Sequence, residues 1–334
     1  MRILCFGEIL LRLSPPNAYR FVQARLFDAV YGGSEANVAA SLAQWGEQVS
    51  FLTRVPDNEL GQAALGALAQ QGVDISHCKR GGERLGIYFL EQGIGRRASK
   101  VLYDRAHSGM ADLKPGMLDW QSALEQADWL HWSGITPALS QGAAQTLMEG
   151  LELAKKLDVK VSCDLNYRAS LWKYGASPAS VMPELVGFAD VLLGDRKSFL
   201  TCLGINSTKE TSPDTLFAMV GKTFPRLRFI AMTRRDGISA SHNTYQGLLY
   251  DGLQLRMSQS YDLPDMLDRI GSGDAFMAGL IHGLRKMSDD TQQIVEFATA
   301  AAAFKHYVAG DFNLCDEVEV RDLMAGNTGG KVNR

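Results

Sequence analysis

The run Asp268-Arg269-Ile270-Gly271-Ser272-Gly273-Asp274-Ala275-Phe276 holds, within a few positions, the residue types that phosphoryl transfer needs. Gly271 and Gly273 lack a Cβ, so backbone N–H groups there can approach an anion closely and adopt angles that other residues avoid. The stretch 275–284 (AFMAGLIHGL) reads as a helix, which would place those N–H groups at its positive N-terminal end. Asp274 adds a carboxylate in the first turn, facing whatever an anion hole there would hold. A carboxylate repels bound phosphate, so it is a poor binding group in that place. As the acceptor of the proton from a hydroxyl attacking that phosphate, it makes chemical sense. The same residues also fit an ordinary helix start, with Asp274 as N-cap and the glycines serving the turn. On local sequence both readings stand.

A second group of residues suits a small polar ligand. Gly32-Gly33-Ser34-Glu35-Ala36-Asn37 leads into a helix. The paired glycines let a ligand press against backbone, and Asn37 offers a donor and an acceptor on the first turn. The bland alternative is a strand-to-helix turn capped by Ser34. Tyr88, Tyr103 and Arg105 add stacking surfaces and a guanidinium, as does Arg168 in Asp164-Leu165-Asn166-Tyr167-Arg168. Arginine forks grip carboxylate or phosphate through two bonds, and tyrosines stack on sugar rings and donate hydrogen bonds. A neutral sugar has no need of two guanidiniums, whereas a sugar acid does. Taken singly, each arginine reads as a solvated charge or a fold ion pair. The two carry meaning together only if the fold brings them to one place.

Thr233-Arg234-Arg235-Asp236-Gly237-Ile238 follows an apolar strand and is expected to form a strand-end loop, where open α/β sheets receive nucleotides. The chain has no GxxxxGK[ST] phosphate loop and no GxGxxG fingerprint after a strand, and its first turn is Gly7-Glu8-Ile9. This weighs against a dinucleotide-dependent dehydrogenase. None of the six histidines has metal-ligand spacing or an obvious nucleophile partner.

The elements that must position these groups are legible in outline. Short apolar runs at 3–7, 49–52, near 128–133, 159–164, 190–194 and 228–233 alternate with helical spacing at 34–45, 58–71, 141–156, 181–188 and 213–223. Alternating β and α segments predict a parallel sheet with helices on both faces. Residues 9–31 and 84–105 break the rhythm with period-two patterns and a glycine-rich hairpin, and predict antiparallel strands in a small sheet standing off the core as a lid, the alternative being that they extend the main sheet. The chain of 334 residues is long enough for a large core, with 46% hydrophobic and 21% charged residues. A net charge of −3 gives no general pull toward nucleic acid or anionic membrane. Five scattered cysteines without CxxC spacing suit reduced thiols. No signal peptide and no apolar run near ~20 residues is visible, so a cytoplasmic location is expected.

Together these segments make the chain similar to the ribokinase-like (PfkB) carbohydrate kinases, and within them to the 2-keto-3-deoxygluconate kinases. The resemblance spans nearly the whole chain. It rests on Gly7-Glu8, Arg12-Leu13-Ser14-Pro15, the Gly32 to Asn37 run, Tyr103-Asp104-Arg105, Asp164 to Arg168, Gly271-Ser272-Gly273-Asp274 and Gly310-Asp311-Phe312-Asn313. It implies a three-layer α/β/α fold with a mainly parallel central sheet and a small β-sheet lid. The core would be residues 1–8, 32–83 and 106–325, the lid 9–31 and 84–105, and 326–334 a flexible tail. It also implies ATP and Mg²⁺ as cofactors and a homodimer paired through the lids. Carried over by position, Asp274 is the general base, and the Gly271, Ser272 and Gly273 N–H groups are the anion hole. Gly33, Asn37, Tyr88, Tyr103, Arg105, Arg168 and Asp311 would hold the sugar acid, and Asp195, Arg234, Asp236 and Gly237 would border the nucleotide. One stretch departs from the family: an Asn-x-x-Glu motif that helps organise magnesium is replaced by Asp195-Arg196-Lys197-Ser198. Asp195 could still hold a water on the metal, and the metal residues are otherwise open. The rivals are a kinase for a neutral sugar such as fructose or ribose, and a non-catalytic sensor of sugar acid and nucleotide.

Overall fold

The computed structural model describes residues 2–287 and 290–327. Its strands in chain order are β1 (Arg2–Phe6), β2 (Leu10–Ser14), β3 (Asp28–Gly32), β4 (Val49–Leu52), β5 (Arg54–Val55), β6 (Lys79–Arg80), β7 (Ile87–Glu91) and β8 (Lys100–Asp104). They continue as β9 (Ala127–Ser133), β10 (Lys160–Asp164), β11 (Val191–Leu193), β12 (Phe229–Ser239), β13 (His242–Tyr250), β14 (Leu255–Met257) and β15 (Tyr261–Leu263). The main sheet runs β14-β13-β12-β11-β10-β9-β1-β4, with β15 also on β13. From β4 to β12 every pairing is parallel, and the strands beyond β12 are antiparallel.

The parallel part is why the short apolar runs were readable. A parallel strand covered by helices on both faces is buried on both, so its residues need not alternate. In β1, Ile3 and Cys5 join one core with Val38 and Leu42 of helix Ser34–Gln44 and Phe276 and Leu280 of helix Ser272–Lys286. Leu4 and Phe6 of the same strand face the opposite core, with Trp120, Leu147, Met182 and Phe199. The strand ends that follow (Gly7, Gly134, Asp164, Gly194) therefore gather along one edge of the sheet.

Strands β2, β3, β7 and β8 make a separate four-stranded sheet in the order β3-β2-β7-β8. Two of its pairings are antiparallel as expected, but β2 and β7 pair in parallel, Leu11 opposite Ile87 and Leu13 opposite Phe89. The sheet is two hairpins laid side by side. The first strand of each hairpin lies in the middle, so both run in one direction.

One further expectation changes. Residues 233–239 are not a loop: β12 continues through them, with Arg234 opposite Gln246 and Asp236 opposite Thr244. The reason is the partner hairpin strand β13, whose pattern gives no local cue that it pairs there. At the C-terminus, Gly326 and Asn327 close on helix Glu317–Met324, the Gly326 N–H donating to the Leu323 carbonyl at 3.1 Å. The rest of the expected tail, 328–334, lies outside the described residues.

Candidate active site

A cleft of about 710 Å³ lies at the gathered strand ends, with Leu10, Tyr88, Val101 and Tyr103 of the small sheet on one side. Among the described residues it takes in nearly every position singled out from the sequence: Gly33, Asn37, Tyr88, Tyr103, Arg105, Arg168, Asp195, Gly271, Ser272, Gly273, Asp274 and Asp311 all line it.

The helix expected from Ala275 begins earlier, at Ser272, with Gly271 as its N-cap in the left-handed region (φ 85°). A Cβ on Gly271 would stand 2.3 Å from the Asp311 carbonyl oxygen, so only glycine fits this position. Asp274 is thus the third helical residue and caps nothing. One of its oxygens accepts from Ser34 Oγ at 2.9 Å and the other from Asn37 Nδ2 at 2.7 Å. The N-cap reading of Asp274 fails on this geometry. The capping role expected for Ser34 fails as well, because its hydroxyl is spent on Asp274 and accepts from Asn166 Nδ2 at 2.8 Å. Burial pushes the Asp274 carboxyl up to about 6, against the donors Asn37 and Ser34 and the charge of Arg168, which hold it down. A buried carboxylate oriented by two donors at the lip of a helix N-terminus can ionise near neutral pH and take a proton from a bound hydroxyl.

The two arginines do reach one cleft, but in different states. Arg105 is buried, its Nε on Glu8 Oε2 at 2.8 Å and its Nη2 on the same oxygen, while Ser108 Oγ donates to the other oxygen. Its guanidinium also lies 5.7 Å from the centre of the Tyr103 ring. Arg168 is exposed, and among the described residues its one hydrogen bond, at 3.3 Å, goes to the Tyr167 carbonyl beside it. Asp311, placed by resemblance among sugar ligands, is engaged by Arg12 Nη1 at 2.8 Å and by the Tyr88 hydroxyl at 2.5 Å. Arg12 also reaches Asp268 at 2.7 Å, so these groups form one buried network joining the small sheet to the Gly271 turn.

Arg234, Asp236 and Gly237 do not line the cleft, whereas Thr233 and Arg235 do. Because 233–239 is strand, side chains alternate, and Arg235 is the one that turns inward. Its Nη2 donates to Ser272 Oγ at 3.0 Å, and Arg269 lines the same wall. Arg269 loses some of its affinity for a proton to burial and to the neighbouring charge of Arg235. The sequence reading missed Arg235, Arg269, Lys197, Asp164 and Glu8. A strict period-two count through 233–239 would have favoured Arg235. Glu8 gives no such signal, since its role depends on a partner 97 residues away.

Two more carboxylates border this wall. Asp195 caps helix Arg196–Leu203, accepting from the Ser198 N–H at 2.7 Å, and its own N–H donates to Ser198 Oγ at 2.8 Å. The departure from Asn-x-x-Glu is therefore a capping box. Asp164 is pushed up to about 7, first by burial and then by the nearby charge of Asp274.

A profile of the pfkB family carbohydrate kinases matches residues 1–311. The chain is 29% identical to the 2-dehydro-3-deoxygalactonokinase of Haloferax volcanii over 98% of both chains. It is 28% identical to the 2-dehydro-3-deoxygluconokinase of Thermoproteus tenax, over 92% of this chain and 89% of the relative. The crystal structure of the 2-dehydro-3-deoxygluconokinase from Thermotoga maritima superposes with a TM-score of 0.93 at 40% identity, covering 98% of this chain and all of that one. With a three-layer sheet core, a separate small sheet and a Gly-Ser-Gly-Asp helix start at the cleft between them, this chain belongs to the PfkB family of carbohydrate kinases.

Proposed function

We propose that this kinase transfers the γ-phosphoryl group of ATP to the terminal hydroxyl of 2-keto-3-deoxygluconate (2-dehydro-3-deoxygluconate), giving the 6-phosphate and ADP. The observation that carries the reading is Asp274: a buried carboxylate, held by Ser34 and Asn37, beside a glycine turn at a helix N-terminus. Asp274 takes the hydroxyl proton as the oxygen attacks phosphorus and the bond to ADP breaks. The N–H groups of Gly271, Ser272 and Gly273 meet the charge that gathers on the transferring group. Arg235, Arg269 and Lys197 border the polyphosphate, in place of Arg234, Asp236 and Gly237. Arg168 receives the sugar carboxylate, with Tyr88, Tyr103 and the Gly33 backbone around the chain of the sugar and Arg105 shaping its floor.

Magnesium fits this site through Asp164 and Asp195. Asp164 carries repulsion from Asp274 and Asp195 that no cation offsets fully, and one or two carboxylates plus phosphate oxygens are the usual magnesium donors. When bound, the ion neutralises triphosphate charge. The four-stranded sheet acts as the lid, and exposed Val22, Leu26, Phe27 and Leu102 offer the apolar surface through which two copies pair. Five free cysteines and the absence, among the described residues, of a helix fit to cross a membrane suit a cytoplasmic protein.

The test is ADP release across a panel holding 2-keto-3-deoxygluconate, its C4 epimer 2-keto-3-deoxygalactonate, fructose and ribose. Turnover is expected with the keto acids. Preference for a neutral sugar would replace the substrate, and binding without ADP release would make the protein a sensor.

A further inference from the structure

Lys305, the last residue of helix Thr291–Lys305, is fully buried. Its Nζ donates to the Val308 carbonyl at 2.8 Å, and among the described residues it makes no ion pair. An ammonium so placed is costly unless its charge is used. The side chain runs directly beneath the anion-hole turn, its Cε 3.2 Å from where a Cβ on Gly271 would stand. Two buried carboxylates border the same turn. Asp268 accepts from the Ile270 N–H at 3.0 Å and the Gly310 N–H at 3.2 Å, and Asp311 presents its backbone carbonyl to Gly271. Arg12 bridges both acids and supplies one positive charge. Lys305 supplies the second, which makes the buried set neutral. Burial lowers the proton affinity of Lys305, and Asp268 and Asp311 raise it again.

We propose that Lys305 is a positioning residue for phosphoryl transfer: its charge under Gly271 holds the Gly271–Gly273 N–H groups in place and adds positive potential where the transferring group sits. This rests on the kinase reading. The field at the turn then comes from three sources, the helix start, the N–H groups and this ammonium, and only the last can be removed without touching the ligand.

Lys305→Met keeps the volume and removes the charge. Its kcat is expected to fall roughly 10- to 100-fold, beyond any fall in the folded fraction from the lost second positive charge of the buried set, with the acceptor KM within about threefold. Native kcat, or a loss that merely follows the folded fraction, overturns the proposal. If Lys305→Met does not fold, Lys305→Ala is assayed across a methylammonium titration. Turnover rising with methylammonium at constant helical content supports the proposal, and turnover that tracks helical content overturns it. Wild-type ADP release in the same assay reports on the kinase reading separately.

Discussion

The two walls of the cleft are built on opposite principles. On the side joined to the small sheet, Arg12, Glu8, Arg105, Tyr88 and Asp311 are all buried and spend their charges on one another. On the strand-end side, Arg168 is left nearly unpartnered, Arg235 and Arg269 stand together, and Asp164 and Asp274 are pushed up to about 7 and about 6. Charges that pair with each other hold a shape; charges met only by neutral groups keep a counter-charge to be supplied from outside. A guanidinium in the cleft is thus no evidence of ligand binding until its partner is known, and Arg105 and Arg168 separate on that criterion alone.

The comparison is broken most easily at Asp274. Asp274→Asn should lower kcat by about 10²–10⁴ with sugar binding retained, and near-native turnover would remove it as the base. In the native enzyme kcat should rise with pH through about 6, since the base must be ionised, and a flat profile between pH 5 and 8 would contradict this. The folded-state pKa lies above the ordinary value of 3.8, so ionisation costs stability as pH rises through about 6. The Asn variant should therefore melt later at pH 8, by up to about 3 kcal/mol, with the gain gone below about pH 4.

On the other wall, Arg12→Met strands two buried carboxylates and should cost about 3–5 kcal/mol in a denaturant melt. A loss confined to activity would mean that the network serves the ligand instead. Next, Arg168→Ala should raise the KM for the keto acid roughly 10- to 150-fold, from about 1.5–3 kcal/mol per charge-assisted bond, and leave stability untouched. Arg105→Ala is a poorer probe of the same question, because it also leaves Glu8 buried and unpaired. The smallest effect belongs to Arg234→Ala, within about 0.5 kcal/mol in stability and silent in ATP affinity, while Arg235→Ala weakens ATP binding. Equal effects at the two positions would return the nucleotide to both faces of β12.

What could be read from the chain is what is local. The parallel strands declare themselves as unbroken apolar runs because both faces are buried, and Gly271-Ser272-Gly273-Asp274 declares itself because a close approach to anions needs glycine at fixed spacing. Helix periods at 34–45 and 141–156 are equally local. The tertiary structure decided the rest, because it depends on partners distant in the chain. The pairing of β2 with β7, the continuation of β12 along β13 and the commitment of Arg105 to Glu8 all join segments that carry no mark of one another. The same holds at the centre of the site. The local sequence leaves Asp274 divided between a cap and a base, and what turns its carboxylate from the helix start is Ser34 and Asn37, 240 and 237 residues away.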